Sequence, residues 1–223
     1  MKQNIIIILA SGSPRRKELL EQAGLEFQIL TSEIEEKTEF TRPQDVVIDL
    51  STQKCNAVSD IFIRKTLETD SVDMLNMLLV ESGGILVVGA DTVVSLDDNI
   101  LGKPVNAADA KACLMKLSGR THEVYTGVSC KYLTYSSYAK SLVEADFFSF
   151  YLKTLVKMYP FDEYNALDYI ATGEPMDKAG SYGIQGIGSR LVEKIDGDYN
   201  NVVGFPLGEF VKELVERDYL EFG

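Results

Sequence analysis

The chain has 223 residues, 45% apolar and 25% charged, enough for one domain or two tightly joined lobes around a substantial core. Its net charge of −12 argues against a general binder of nucleic-acid polymers, which needs excess Lys and Arg to displace counterions, but leaves room for a local cation cluster that holds a small anion. No apolar run approaches the ~20 residues of a membrane span, and three cysteines with one histidine are too few and too scattered for a disulfide framework or a zinc site.

In chain order, residues 5–10 are continuously apolar and β-branched, the pattern of a strand buried on both faces. Ser11-Gly12-Ser13 then turns, with Ser13 as N-cap and Pro14 at the first helical position. Leu19, Leu20 and Ala23 give that helix its apolar stripe, and Gly24 ends it. Residues 27–31 read as a second strand and residues 45–61 as a helix. Residues 62–84 are the least clear; Met74, Leu75, Leu78 and Leu79 sit at helical spacing. Residues 85–88 form another buried strand that runs into Gly89-Ala90-Asp91-Thr92, and residues 93–96 lead to a turn at Asp97-Asp98-Asn99. A helix is predicted over 107–117, capped by Asn106. Strands follow within 122–132 and 143–150, then a helix over 162–172, a glycine-rich stretch with a strand at 191–195, and a closing amphipathic helix from Leu207. This alternation defines an α/β class.

Three features carry chemistry. Arg15, Arg16 and Lys17 occupy the first turn of a helix, whose free N–H groups already form a positive pole. A phosphate there would satisfy both the N–H groups and the guanidinium forks; the plain alternative is a solvated face paired with Glu18 and Glu21. Asp91 follows a buried strand, where α/β sheets bind ligands, and could serve as a general base or bind a hard cation; the alternative is a turn or cap residue. Glu33, Glu35 and Glu36 form a second acidic cluster. Residues 173–186 are polar and punctuated by glycines, which permit close approach of a ligand, and Gln185 offers an amide suited to the edge of a base. Lys54 and Lys103 could each place a charge on a phosphate, although surface lysines are common. A Ser-His-Asp triad would have to use His122. Cys55, Cys113 and Cys130 read as buried or partly buried thiols in a reducing compartment, and the expected location is cytoplasmic.

The stretches ILASGSPRRKELL (8–20), SEIEE (32–36), GADTVV (89–94), LGKP (101–104), KLSGRTHEVYTGV (116–128), EPMDKAGSYGIQG (174–186) and KIDGDYNNVVGFPL (194–207), in this order, resemble the Maf family of nucleotide pyrophosphatases. The resemblance implies an ITPase-like fold: an elongated, two-lobed α/β domain spanning residues 1–223, with a central mixed sheet and a nucleotide cleft between the lobes. It implies cleavage of a nucleoside triphosphate to the monophosphate and pyrophosphate with Mg²⁺ or Mn²⁺. The family's phosphate-binding positions fall on Ser11, Arg15, Arg16, Lys54 and Lys103, its catalytic aspartate on Asp91, its metal-associated acids on Asp91 and Glu36 (Glu33 less readily), and its base-reading glutamine on Gln185. Gly-Ile-Gln-Gly resembles the subfamily acting on dTTP and UTP, a role that extends to modified pyrimidine nucleotides and the cleaning of nucleotide pools. A 7-methyl-GTP-type enzyme, a nucleotide-sensing or cell-division regulator and a phosphatase releasing single phosphates are the rival readings, and a homodimer stays open. Departures from the family are residues 63–84, which read as an insertion, residues 134–164, and Phe205 where leucine is usual.

Overall fold

A computed structural model describes residues 2–68 and 83–222 of the chain. The helix anticipated around Met74 to Leu79 lies outside the described residues.

The architecture is α/β around a mixed sheet. Its strands are β2 (Ile6–Leu9), β3 (Phe27–Ile29), β4 (Ile85–Leu96), β5 (Asn99–Leu101), β6 (Thr121–Ser136), β7 (Ser141–Met158) and β8 (Val192–Asp196). The order is β3-β2-β4-β6-β7-β8, with β5 added to the edge of β4. β2 is parallel to β3 and β4, whereas the β4–β6, β6–β7 and β7–β8 pairs are antiparallel. A small antiparallel pair, β1 (Lys2–Gln3) with β9 (Leu220–Glu221), joins the two ends of the chain.

The helices are α1 (Pro14–Gln22), α2 (Pro43–Glu68), α3 (Ala107–Leu117), α4 (Glu163–Ala171), α5 (Tyr199–Val203) and α6 (Leu207–Glu216). Local chemistry explains most of their limits. Asn106 accepts a bond from the Asp109 N–H at the start of α3, and Asp162 and Asn165 form a reciprocal capping box on α4. Gly24, at φ 67°, terminates α1. Ser13 is the N-cap residue of α1 in position only, because its side chain makes no capping bond. Helix α2 starts two residues before the predicted limit and continues past Ile61 to Glu68, so the first part of the anticipated insertion prolongs this helix.

The sheet's two faces are covered differently. On one, α2 lies against β4 and β6, with Cys55 and Val58 packed on Ile85 and Val87, and Val46 and Val47 packed on Val93 and Tyr125. The approach is close: a Cβ on Gly89 would stand 2.1 Å from the Ser51 carbonyl oxygen, and one on Gly127 would stand 2.6 Å from the backbone of Val47. On the other face two separate cores form. One joins Leu86, Val88 and Ala90 to Leu19, Leu20, Phe205 and Phe210; the other joins Val94 and Leu96 to Leu114, Leu117, Tyr169 and Tyr182. Period-2 alternation along β4 puts Thr92 between them. That interruption of the apolar face is the floor of a cleft. Phe205, the unusual residue, is fully buried and meets Phe210 edge-on at 5.1 Å.

Candidate functional site

β4 is one continuous strand through Asp91, and this corrects the expectation that Asp91 sits at a strand's carboxyl end. The expected opening is made by the neighbours instead. β2 pairs with β4 only as far as Leu9 opposite Val88, and β5 pairs with β4 only from Val94, opposite Leu101, onward. Residues 89–93 therefore have no strand partner along that edge among the described residues. Asp91 and Thr92 stand in the gap, Asp91 turned toward α2 and Thr92 toward α1.

Lys54, projecting from α2, donates to Asp91 Oδ1 at 2.6 Å and lies 2.9 Å from Glu36 Oε2. One ammonium thus bridges two carboxylates that are 55 residues apart in sequence, by subtraction of their positions. Glu33 lines neither of the cavities described below, and Glu35 pairs with Lys37 at 2.8 Å, so of the acidic cluster only Glu36 reaches this group.

Arg16 is fixed in three directions. It donates to the Gly204 carbonyl at 2.9 Å, to Ser11 Oγ at 2.9 Å and to Thr92 Oγ1 at 3.2 Å. Thr92 is in turn 2.9 Å from Thr126 Oγ1, which donates to the Asn201 carbonyl at 2.8 Å. Burial lowers the pKa of Arg16, Asp91 and Glu36 oppose that shift, and neighbouring Arg15 adds to it; a guanidinium stays charged regardless. Arg15 crosses the cleft to Asp177 at 3.1 Å. Lys17 alone follows the plain surface reading, in an exposed pair with Glu21 at 3.6 Å. Lys103 is exposed and has no ion pair among the described residues.

These groups surround two adjoining cavities of about 400 and 380 Å³ that share Arg15, Arg16, Lys54 and Lys103. Asp91 and Gln185 line the first; Ser11 and Glu36 line the second. The eight residues on which the family's site positions fall thus line these two adjoining cavities. Arg15 and Asp91 share a cavity, as a common role demands.

Gln185 sits in an extended conformation just before a 3-10 turn over Gly186–Leu191, where its side chain makes no capping bond, and its amide has no hydrogen-bond partner among the described residues. The glycines around it have a different use from the one anticipated. Gly186 holds φ 66°, and a Cβ there would fall 2.8 Å from Glu174 Oε2; a Cβ on Gly188 would fall 2.4 Å from the Gly183 carbonyl. They let the loop wrap around protein groups. Glu174, Asp177 and Lys178 also line the first cavity, although the sequence reading gave them no role. Their signal was the density of charge between glycines, which did not distinguish ligand contact from loop support.

His122 is buried, with Nε2 2.7 Å from the Tyr182 hydroxyl and Nδ1 without a partner among the described residues. Burial pushes its pKa down from 6.5 to about 4. Among the described residues it hydrogen-bonds to neither a serine nor an aspartate, so no triad forms there. The three cysteines are free; burial raises the Cys55 thiol to about 11 and holds the Cys130 thiol well above its ordinary value.

Fold and site define an α/β protein with a cleft in which fixed cations face a carboxylate and the Gln185 amide. The model of the Maf-like protein family matches residues 6–217, and the chain belongs to that family. It is 44% identical over 209 residues to the dTTP/UTP pyrophosphatase of Bacillus thuringiensis, covering 93% of both chains. It is 44% identical over 213 residues to the dTTP/UTP pyrophosphatase of Bacillus mycoides, covering 95% of both. Among solved structures, a HAM1 protein from Coxiella burnetii aligns over 95% of this chain and 99% of its own, with 12% identity and a TM-score of 0.47. No helix among the described residues is long and apolar enough to cross a membrane.

Proposed function

We propose that this protein hydrolyses dTTP, UTP or a modified pyrimidine nucleoside triphosphate to the monophosphate and pyrophosphate. One observation carries the reading: Arg15, Arg16, Lys54, Lys103, Asp91 and Gln185 line the same cavity, so a polyphosphate, a potential base and an amide that can read a nucleobase belong to one site. The relatives' printed activity agrees with it. The reading takes residues 1–223 as one domain with two lobes about this cleft.

Arg16 is held by the Ser11, Thr92 and Gly204 oxygens, so its charge is in place before a substrate arrives. Fixed cations of this kind stabilise the charge that develops in phosphoryl transfer without reorganising. Arg15 and Lys103 are the adaptable pair, since one must exchange Asp177 for a phosphate and the other is exposed. Asp91 accepts a proton from water as its oxygen attacks the α-phosphorus in line; the bond to the bridging oxygen breaks and pyrophosphate leaves. The 2.6 Å bond from Lys54 fixes which Asp91 oxygen is engaged and leaves the other to face that water.

Glu36 and Asp91 fit a hard divalent cation, because their oxygens already converge on one positive group, the Lys54 ammonium. No third His, Cys, Asp or Glu joins a metal-binding group among the described residues, a donor set that suits Mg²⁺ or Mn²⁺, which take one or two carboxylates plus phosphate oxygens and water. When bound, the ion would neutralise charge on the phosphates.

The test is a panel of nucleoside triphosphates with Mg²⁺, with products separated. Pyrophosphate with preference for UTP and dTTP is expected. Orthophosphate, 7-methyl-GTP preference, or binding without turnover would each replace this reading with the corresponding rival.

A further inference from the structure

Gln185 can read a base only if its backbone is fixed, yet the loop that carries it has little regular structure. Its support converges on one side chain. Glu174 accepts the Ile187 N–H at 2.9 Å, the Gly188 N–H at 3.0 Å and the Tyr169 hydroxyl at 2.9 Å. The Tyr169 oxygen in turn accepts the Gly183 N–H at 3.1 Å. Both flanks of Gln185 are therefore tied to a single carboxylate: Gly183 before it through Tyr169, Ile187 and Gly188 after it directly. Tyr169 is itself fully buried in α4. The glycines fit the same arrangement, since a Cβ at Gly186 would press on Glu174 and one at Gly188 would stand 2.5 Å from the Tyr169 hydroxyl. Lys178 closes the group from the other side, donating to the Glu174 carbonyl at 2.6 Å. Burial raises the Glu174 pKa, but the Gly188 and Ile187 N–H groups, the Tyr169 hydroxyl and Lys178 outweigh it, so the carboxyl titrates below its ordinary range and stays an acceptor at neutral pH.

We propose that Glu174 is the positioning residue for base selection: it sets the geometry of Gln185 through Gly183, Ile187 and Gly188 without touching the reacting phosphates. The inference rests on Gln185 as the base reader. An anionic acceptor suits three convergent donors, because a carboxylate accepts on both oxygens and donates nothing. A glutamine keeps the shape but turns an NH₂ toward at least one N–H.

The experiment compares kcat and KM for UTP and GTP in the wild type, E174A, E174Q, Y169F, Q185A and the double variant E174A/Q185A, with thermal unfolding measured for each. For E174A the ratio of kcat/KM for UTP over GTP should fall by at least ~10-fold, mostly through KM for UTP. E174Q and Y169F should fall less, in the same direction. In the Q185A background, adding E174A should change the ratio less than ~2-fold, because the two act through one contact. An unchanged ratio in folded E174A, or an equal kcat loss for both nucleotides, overturns the proposal. If E174A does not fold, E174Q decides on the same criterion. A wild type that discriminates while the Glu174 variants discriminate equally well defeats this inference alone. A wild type that releases no pyrophosphate from any nucleotide defeats the functional reading and this inference with it.

Discussion

The two ends of the cleft are built on opposite plans. At the proposed phosphate end every group except Lys103 is committed to a protein partner among the described residues: Arg16 to three oxygens, Lys54 to two carboxylates, Arg15 to Asp177. Most of those groups sit on α1, α2 and β4, whose positions the buried cores dictate. At the proposed base end short 3-10 turns replace regular elements, and Gln185 presents an amide with no partner among the described residues. The lesson is a division of labour. Charge must be fixed in advance to act on a transition state, and rigid elements provide that. Discrimination needs an unpaired polar group, which a loop can hold exposed to the cleft at small cost.

The comparison breaks most decisively at Asp91. Asp91→Asn keeps the shape and removes the proposed base, so kcat should fall at least ~10²-fold for every base alike. Near-normal turnover in a stopped assay of pyrophosphate release would remove the role. Acid should act next, and at the base end. His122 backs Tyr182, which lines the cavity, and its folded pKa of about 4 lies below the ordinary 6.5. A depressed histidine is neutral when folded while the unfolded chain is protonated, so stability is complete above pH 6.5 and declines as pH falls toward 4. The full loss is roughly 3 kcal/mol from the shift in pKa. Urea unfolding at a series of pH values should reveal this slope in the wild type and lose it in His122→Phe; equal slopes in both would reject the assignment.

Two smaller effects sharpen the contrast. Arg16→Lys retains charge but cannot span Ser11, Thr92 and Gly204 together. A loss of about 2 kcal/mol in kcat/KM, roughly 30-fold, is expected without change in base preference. A shifted UTP-to-GTP ratio in that variant would mean that the two ends are coupled. Gln185→Ala should lower the same ratio by about 10-fold while leaving kcat for UTP the less affected parameter. Equal loss for UTP and GTP would assign Gln185 to the phosphate end.

Local signals served well where the physics is local. Asn106 as the cap of α3, the break after α4 at Gly173, and the amphipathic α6 all depend on neighbours within one or two turns. The cationic start of α1 was equally legible. Glu174 was not, because its value depends on three donors that only the folded loop brings together. The same holds for the glycines of 183–188, whose close contacts are with Glu174, Lys178 and Tyr169. Asp91 faces the cleft, but from within β4 and not from a strand end. The opening beside Asp91 comes from where β2 and β5 pair with β4, which no single segment reveals.

The sequence by itself determined which elements form and which side chains carry charge at their ends, since helix periodicity, capping and strand alternation are properties of adjacent residues. Only the tertiary structure decided that β2 stops short of Asp91, that Lys54 lies between Asp91 and Glu36, and that one carboxylate holds both sides of Gln185. Those facts follow from the lengths of paired strands and from α2 lying against the glycines of β4 and β6. Such relations join residues distant in the chain, and packing rather than local preference fixes them.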